Sequence, residues 1–238
     1  SMALKGHIYR GLKPVHWSPS SKTALAEAEL EYPDNHVSQS IYLIFSVVQI
    51  PSILSNLLSE QGLHLPHDSD QLSESLKLSV WTTTPWTIPA NLAIAVNQGI
   101  NYVFAKDDLG RIIILAEDLL NSIKTKLNTT LTVLASVQGE FLEGIQYKHP
   151  LFSRISPVLI GGDYITTDSG TGLVHKGPGH GVDDFNTGIK NNLPILCPVD
   201  ESGYFTDEAG QFKGLNILKD ANSVIINSLN NEGSLLLK

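Results

Sequence analysis

Leu78-Ser79-Val80-Trp81-Thr82-Thr83-Thr84-Pro85-Trp86-Thr87-Ile88-Pro89-Ala90-Asn91 reads as a strand that runs into a stiff bend. Leu78 to Thr82 is apolar, aromatic and β-branched, as a strand requires. Pro85 and Pro89 then forbid both a regular strand and a helix interior. The bend presents four threonine hydroxyls, two indoles and an amide. Hydroxyls donate and accept, so it can hold a ribose, a carbonyl or a water. A plainer reading stays open, in which this is a threonine-rich strand end with Trp81 and Trp86 in the core.

A second segment carries comparable chemistry: Asp168-Ser169-Gly170-Thr171-Gly172-Leu173-Val174-His175-Lys176-Gly177-Pro178-Gly179-His180-Gly181-Val182-Asp183-Asp184. Its glycines permit close backbone approach to a ligand. A dinucleotide-binding loop needs a third glycine where His175 stands. A metal site could draw on His175, His180, Asp183 and Asp184, but the spacing fits no zinc signature, and no metal is expected. The third reading is an apolar-walled pocket with His175 as gatekeeper and a carboxylate that grips an ammonium group. Asp183 or Asp184 can equally be a helix-start acid, and His180 reads as a solvated loop imidazole. No nucleophile elbow is present, and Cys197 sits in an apolar run suited to an inert thiol. Any chemistry here is therefore attack by a positioned water.

Outward from these segments, strands are expected at 40–48, 130–137 and 172–175, with a hairpin joining 102–105 to 112–115. Helical periodicity marks 116–127, 182–190 and 219–229. Residues 49–77 are rich in Ser, Leu, Gln and His, and read as a variable, partly mobile surface insertion. The pattern predicts a single β-rich α/β domain over 4–238, a barrel with helices packed outside it. Residues 1–3 read as a tag remnant.

The chain has 238 residues, 42% of them hydrophobic, enough for a sizeable core. One cysteine excludes an internal disulfide framework. The net charge of -8 is the wrong sign for a free-standing nucleic-acid binder, whose affinity comes from neutralising phosphates. If this chain meets RNA, most of the grip comes from elsewhere.

Thr82 to Asn91 resembles the threonine-rich motif of isoleucyl-tRNA synthetase editing domains. Gly170 to His175 and Gly179 to Asp184 are similar to the family's second editing motif. Lys13 to Tyr32 resembles the stretch by which that family's chain leads into the domain. The related valyl and leucyl enzymes carry Thr-Thr-Arg-Pro, and Thr84 in place of that arginine favours the isoleucyl branch. Ser18-Pro19-Ser20-Ser21 stands where some relatives have a cysteine pair. The run resembles bacterial-type enzymes of mitochondria, which implies the mitochondrial matrix or another organelle, with the cytoplasm as the alternative.

The resemblance implies a barrel-centred class I synthetase editing domain that deacylates Val-tRNA(Ile). A hydrophobic pocket separates isoleucine from valine by only about 1–3 kcal/mol, and this pair is the standard illustration of that limit. A second, smaller pocket can then hydrolyse what fits it. By resemblance Asp184 binds the α-ammonium, and His175 lines the side-chain pocket. Thr82, Thr83 and Thr84, with Asn91, hold the terminal adenosine, the ester carbonyl and the water, while Trp81, Trp86 and Thr87 contribute to substrate binding. No cofactor is implied, because ATP and magnesium chemistry belongs to a catalytic domain outside this chain. The implied partners are the 3′ end of tRNA(Ile) carrying valine and the rest of the synthetase, with no membrane and a monomeric state. A non-catalytic tRNA-docking insertion, or the editing domain of a valyl or leucyl enzyme, is the alternative.

Overall fold

The computed structural model describes residues 1–238. The chain runs through β1 (His16–Ser18), β2 (Thr23–Leu25), β3 (Ile41–Gln49), α1 (Ser52–Glu60), α2 (Ser69–Ser75), β4 (Leu76–Thr82), β5 (Ala93–Val96), β6 (Asn101–Asp107) and β7 (Ile112–Ala116). It continues with α3 (Leu120–Leu127), β8 (Leu131–Gln138), β9 (Gln146–Lys148), β10 (Ile155–Ile160), β11 (Val174–Lys176), α4 (Val182–Lys190), α5 (Ala221–Asn231) and β12 (Leu235–Leu237). Strands β1 and β2 form a separate hairpin, and the others make one mixed sheet in the order β11-β5-β10-β9-β3-β4-β7-β6-β8, with β12 on β3.

The fold is the strand-rich α/β arrangement with peripheral helices that the periodicities imply, but the sheet does not close into a barrel. Its terminal strands, β11 and β8, do not pair. Closure is replaced by a partial curl. The Thr171 hydroxyl donates to the Ser79 carbonyl at 2.8 Å, and the Ala116 N–H donates to the Thr171 carbonyl at 2.8 Å. The segment leading into β11 thus folds over onto β4 and β7, in the middle of the sheet.

This curl depends on glycine. Gly172 has φ +78°, and a Cβ there would overlap the Cβ of Ala116. Gly170 has φ +81°, and a Cβ would press on the Trp81 ring at 3.3 Å. Both positions combine left-handed backbone with close packing, which side-chain-bearing residues tolerate poorly. Tyr102 fixes the same turn, its fully buried hydroxyl donating to the Gly172 carbonyl at 2.7 Å.

Residues 49–77 depart from the expected mobile surface insertion. They form α1 and α2 and lead directly into β4. Leu54 and Leu58 lie one helical turn apart and are fully buried, while Leu72 is 2% exposed. Each such side chain contributes about 1.5–3 kcal/mol of burial, so the stretch covers core and cannot be a dispensable loop. Asp68 caps α2 by accepting from the N–H groups of Asp70 and Gln71. Composition concealed this, because leucines spaced four apart among serines bury one stripe only.

Candidate editing-type site

Thr82 ends β4, and the chain turns at Thr83 and Thr84 into a 3-10 turn over Pro85–Ala90. Pro85 opens that turn, where its missing N–H costs nothing. Two distant places in the chain, α5 and the turn between β9 and β10, hold the bend in place. Asn222 in α5 accepts the Trp86 N–H at 2.9 Å. His149 donates from Nε2 to the Ile88 carbonyl at 2.9 Å and accepts the Leu151 N–H on Nδ1 at 3.0 Å. The Arg154 guanidinium donates to the carbonyls of Pro89 and Asn91. Burial pushes His149 down to about 3, so the ring is neutral and its tautomer is the one these partners require.

The bend and the glycine segment face each other across one cleft of about 360 Å³. Trp81, Thr82, Thr83, Thr84 and Thr87 line one side, and Ser169 to His175 line the other. Tyr164, Ile165, Thr166, His180 and Asp184 complete it. The threonines form a connected set of hydroxyls. Thr82 Oγ1 accepts the Thr84 N–H at 3.1 Å, and Thr84 Oγ1 lies 3.3 Å from Thr82 Oγ1 and 3.4 Å from Thr87 Oγ1. Thr83 and Thr84 are exposed to the cleft, whereas Thr82 and Thr87 are buried beneath them.

His175 stands in β11, paired with Ile94 of β5. Its hydrogens can be placed from its neighbours. The Tyr147 hydroxyl donates to Asn91 Oδ1 at 2.7 Å, and Asn91 Nδ2 donates to the Ala93 carbonyl at 2.9 Å. The amide therefore turns its NH2 toward His175 Nδ1, at a long 3.4 Å, and Nδ1 accepts. Nε2 then carries the proton and donates to Thr87 Oγ1 at 2.8 Å, while the Thr87 hydroxyl donates to the Thr84 carbonyl at 2.9 Å. Burial lowers His175 to about 4 against a smaller upward pull from Asp184, so the imidazole is neutral near pH 7. Both ring nitrogens are thus engaged by protein partners, which leaves neither free to take a proton.

Asp184 lies in the first turn of α4 and reaches the cleft, whereas its neighbour Asp183 is exposed and does not line it. The Asp184 carboxylate is already engaged: Oδ1 accepts from Lys176 Nζ at 2.7 Å and Oδ2 from the Gly177 N–H at 2.8 Å.

Two expected substrate contacts lie elsewhere. Asn91 is 0% exposed and supports His175 from behind, because its amide is consumed by Tyr147, Ala93 and the imidazole. Trp86 lines a separate groove beside the N-terminal segment. His180 also departs from expectation. It is half-buried, touches both cavities and meets Trp86 edge-on at 5.1 Å, and burial lowers it to about 4. Sequence reasoning missed Lys176 and Tyr164 as parts of the site. Tyr164 gave no signal, and Lys176 gave only its place beside His175.

Comparison with known proteins accords with this geometry. Residues 1–208 match the family of class I tRNA synthetases (I, L, M and V). An isoleucine--tRNA ligase of Prochlorococcus marinus is 60% identical over 99% of this chain and 24% of its own length. One from a Synechococcus species is 60% identical over the whole chain and 25% of its own length. The chain thus spans about a quarter of the length of these relatives. They are bacterial and lend no support to an organellar address. Among solved structures, GlLeuRS-CP1 superimposes with a TM-score of 0.63 at 15% identity, covering 83% of this chain and 98% of that one. The cytosolic leucyl-tRNA synthetase editing domain of P. knowlesi gives 0.57 at 14% identity, over 82% and 95%. The chain belongs to the class I tRNA synthetases and has the fold of their editing domains, with isoleucine--tRNA ligases as its close relatives in sequence.

Proposed function

We propose that this chain removes valine from mischarged tRNA(Ile) by hydrolysis of the aminoacyl ester, as the editing module of an isoleucine--tRNA ligase. The observation that carries the reading is the shared cleft. The threonine bend, the His175 imidazole and the Asp184 carboxylate come from distant parts of the chain and line one cavity. Its volume suits an aminoacyl group with its ribose, at the small end of ligand sites. The geometry supports the following roles. Asp184 has two hydrogen-bond directions free for the substrate amine, since Lys176 and Gly177 use the other two. His175, braced at both nitrogens, limits the length of the side chain. Exposed Thr83 and Thr84 hydroxyls hold the ester carbonyl and the water.

No side chain in the cleft is placed as a strong base, so the water is oriented by hydroxyls, with the vicinal ribose hydroxyl of the substrate taking part. Proximity and orientation carry the rate enhancement in such a site. The net charge of -8 means that the rest of the synthetase supplies most of the tRNA affinity. The test is a deacylation assay on the full-length enzyme, comparing Val-tRNA(Ile) with Ile-tRNA(Ile). Rapid loss of valine with sparing of isoleucine is the expected result. Equal stability of both esters would defeat the proposal.

A further inference from the structure

Lys176 follows His175 in β11, and strand alternation sends the two side chains to opposite faces. His175 lines the cleft, whereas Lys176 does not and is 1% exposed. Its ammonium nevertheless reaches Asp184 Oδ1 from behind, at 2.7 Å, and sits 4.4 Å from the centre of the Tyr164 ring. One other donor already holds this carboxylate, the Gly177 N–H at 2.8 Å, and Asp184 stands in the first turn of α4, where the helix dipole favours an acid. Keeping the carboxylate in place does not need a lysine as well. What the lysine adds is a full cancelling charge, so the anchor of the cleft is electrically neutral before any ligand arrives.

We propose that Lys176 is a specificity-determining positioning residue: by cancelling Asp184 it lets the cleft hold the amine of an aminoacyl ester and expel the free amino acid formed from it. This rests on the hydrolytic function proposed above. An amine beside an ester carbonyl is less basic than the amine of a free amino acid, because the ester withdraws electrons more strongly than a carboxylate does. The ester amine is uncharged for a larger share of the time, and it can then donate to Asp184 without meeting Lys176 as a like charge. On hydrolysis the water oxygen bonds to the acyl carbon and the bond to the ribose oxygen breaks. One water proton goes to that ribose oxygen. The other leaves the new carboxylic acid and is taken up by the amine, which has become more basic. The product is a zwitterion whose ammonium faces Lys176 as a second cation on one carboxylate, and like charges at such range repel strongly in a partly desolvated cleft.

The test is a calorimetric titration of the 238-residue chain with valinamide, protonated at pH 6.5, and with 2-hydroxyisovaleramide, its uncharged counterpart. Lys176→Met should bind valinamide about tenfold more tightly than the wild type (an increment of about 1.4 kcal/mol) and leave the hydroxyamide unchanged. Lys176→Gln, which keeps a donor without the charge, should behave in the same way and serves if the methionine variant does not fold. Unchanged or weaker valinamide binding overturns the inference, and so does an equal change for both ligands, which marks a merely structural lysine. In the full-length enzyme the same substitutions should make free valine a stronger inhibitor of deacylation. A wild-type enzyme that does not cleave Val-tRNA(Ile) at all would sink the proposed function and leave the amide titration to decide the lysine by itself.

Discussion

His175 Nε2 stands 2.8 Å from Thr87 Oγ1, across 88 positions of chain, and this contact ties the imidazole to the threonine bend. Because the ring is braced on both nitrogens, it cannot swing aside for a longer side chain. On the proposed role of His175, replacing it with alanine opens the cavity to a longer side chain. His175→Ala in the full enzyme should begin to deacylate Ile-tRNA(Ile), narrowing the preference for valine by about 10–100-fold, the worth of one methylene. Continued sparing of the isoleucyl ester would show that another group sets the limit.

Asp184→Ala should abolish deacylation of Val-tRNA(Ile) while aminoacylation with isoleucine continues. That variant also strands Lys176, 1% exposed, without its partner, at a cost of about 3–5 kcal/mol. Asp184→Asn keeps the shape and an acceptor, and separates lost chemistry from lost fold. Undiminished hydrolysis by both variants would remove the carboxylate from the mechanism.

Tyr147 is fully buried, and its hydroxyl orients the Asn91 amide that supports His175. Tyr147→Phe keeps the ring packed edge-on against Phe45 and leaves Asn91 Oδ1 without its donor. The expected loss is about 1–3 kcal/mol, the desolvation penalty of one unpaired acceptor. Urea unfolding of the variant beside the wild type measures it, and an unchanged midpoint would mean that Asn91 finds another partner.

Stability should fall on mild acidification. Burial pushes His149 down to about 3, and His175 and His180 to about 4, from an ordinary value of 6.5. The unfolded chain therefore binds more protons than the folded one between pH 6.5 and these lowered values. Stability rises with pH through that window and is fully present above about pH 7. His149, 1% exposed, contributes on the order of 3–5 kcal/mol across it. Urea midpoints at pH 7.5, 6, 5 and 4 should decline steadily, and a flat series from 7.5 to 5 would contradict buried neutral imidazoles.

Much of the fold was legible because its signals are local. The apolar run at 40–48 became β3, the turn-linked pair became β6 and β7, and the periodicity at 182–190 became α4 with the same bounds. Strands β5, β9 and β10 were not: β5 and β9 are only four and three residues long, and β5–β10 and β3–β9 pair across long stretches of chain. The open sheet has the same cause: whether end strands meet depends on curvature, which no single segment encodes. At the site, Asp184 and the threonines stood out in the sequence by residue type, and the fold brings them to one cleft. Asn91 was misplaced because an amide at a strand-bend junction looks alike whether it faces a ligand or a neighbouring imidazole. Lys176 was overlooked because strand alternation turns it away from His175, and only the tertiary packing of α4 brings Asp184 to its ammonium.

The turn between β9 and β10 delivers His149 and Arg154 to the carbonyls of Ile88, Pro89 and Asn91. A ribosome making this chain releases the threonines long before the residues that brace them. The cleft is therefore complete only after α4 and α5 have emerged, and shorter nascent chains carry half a cavity.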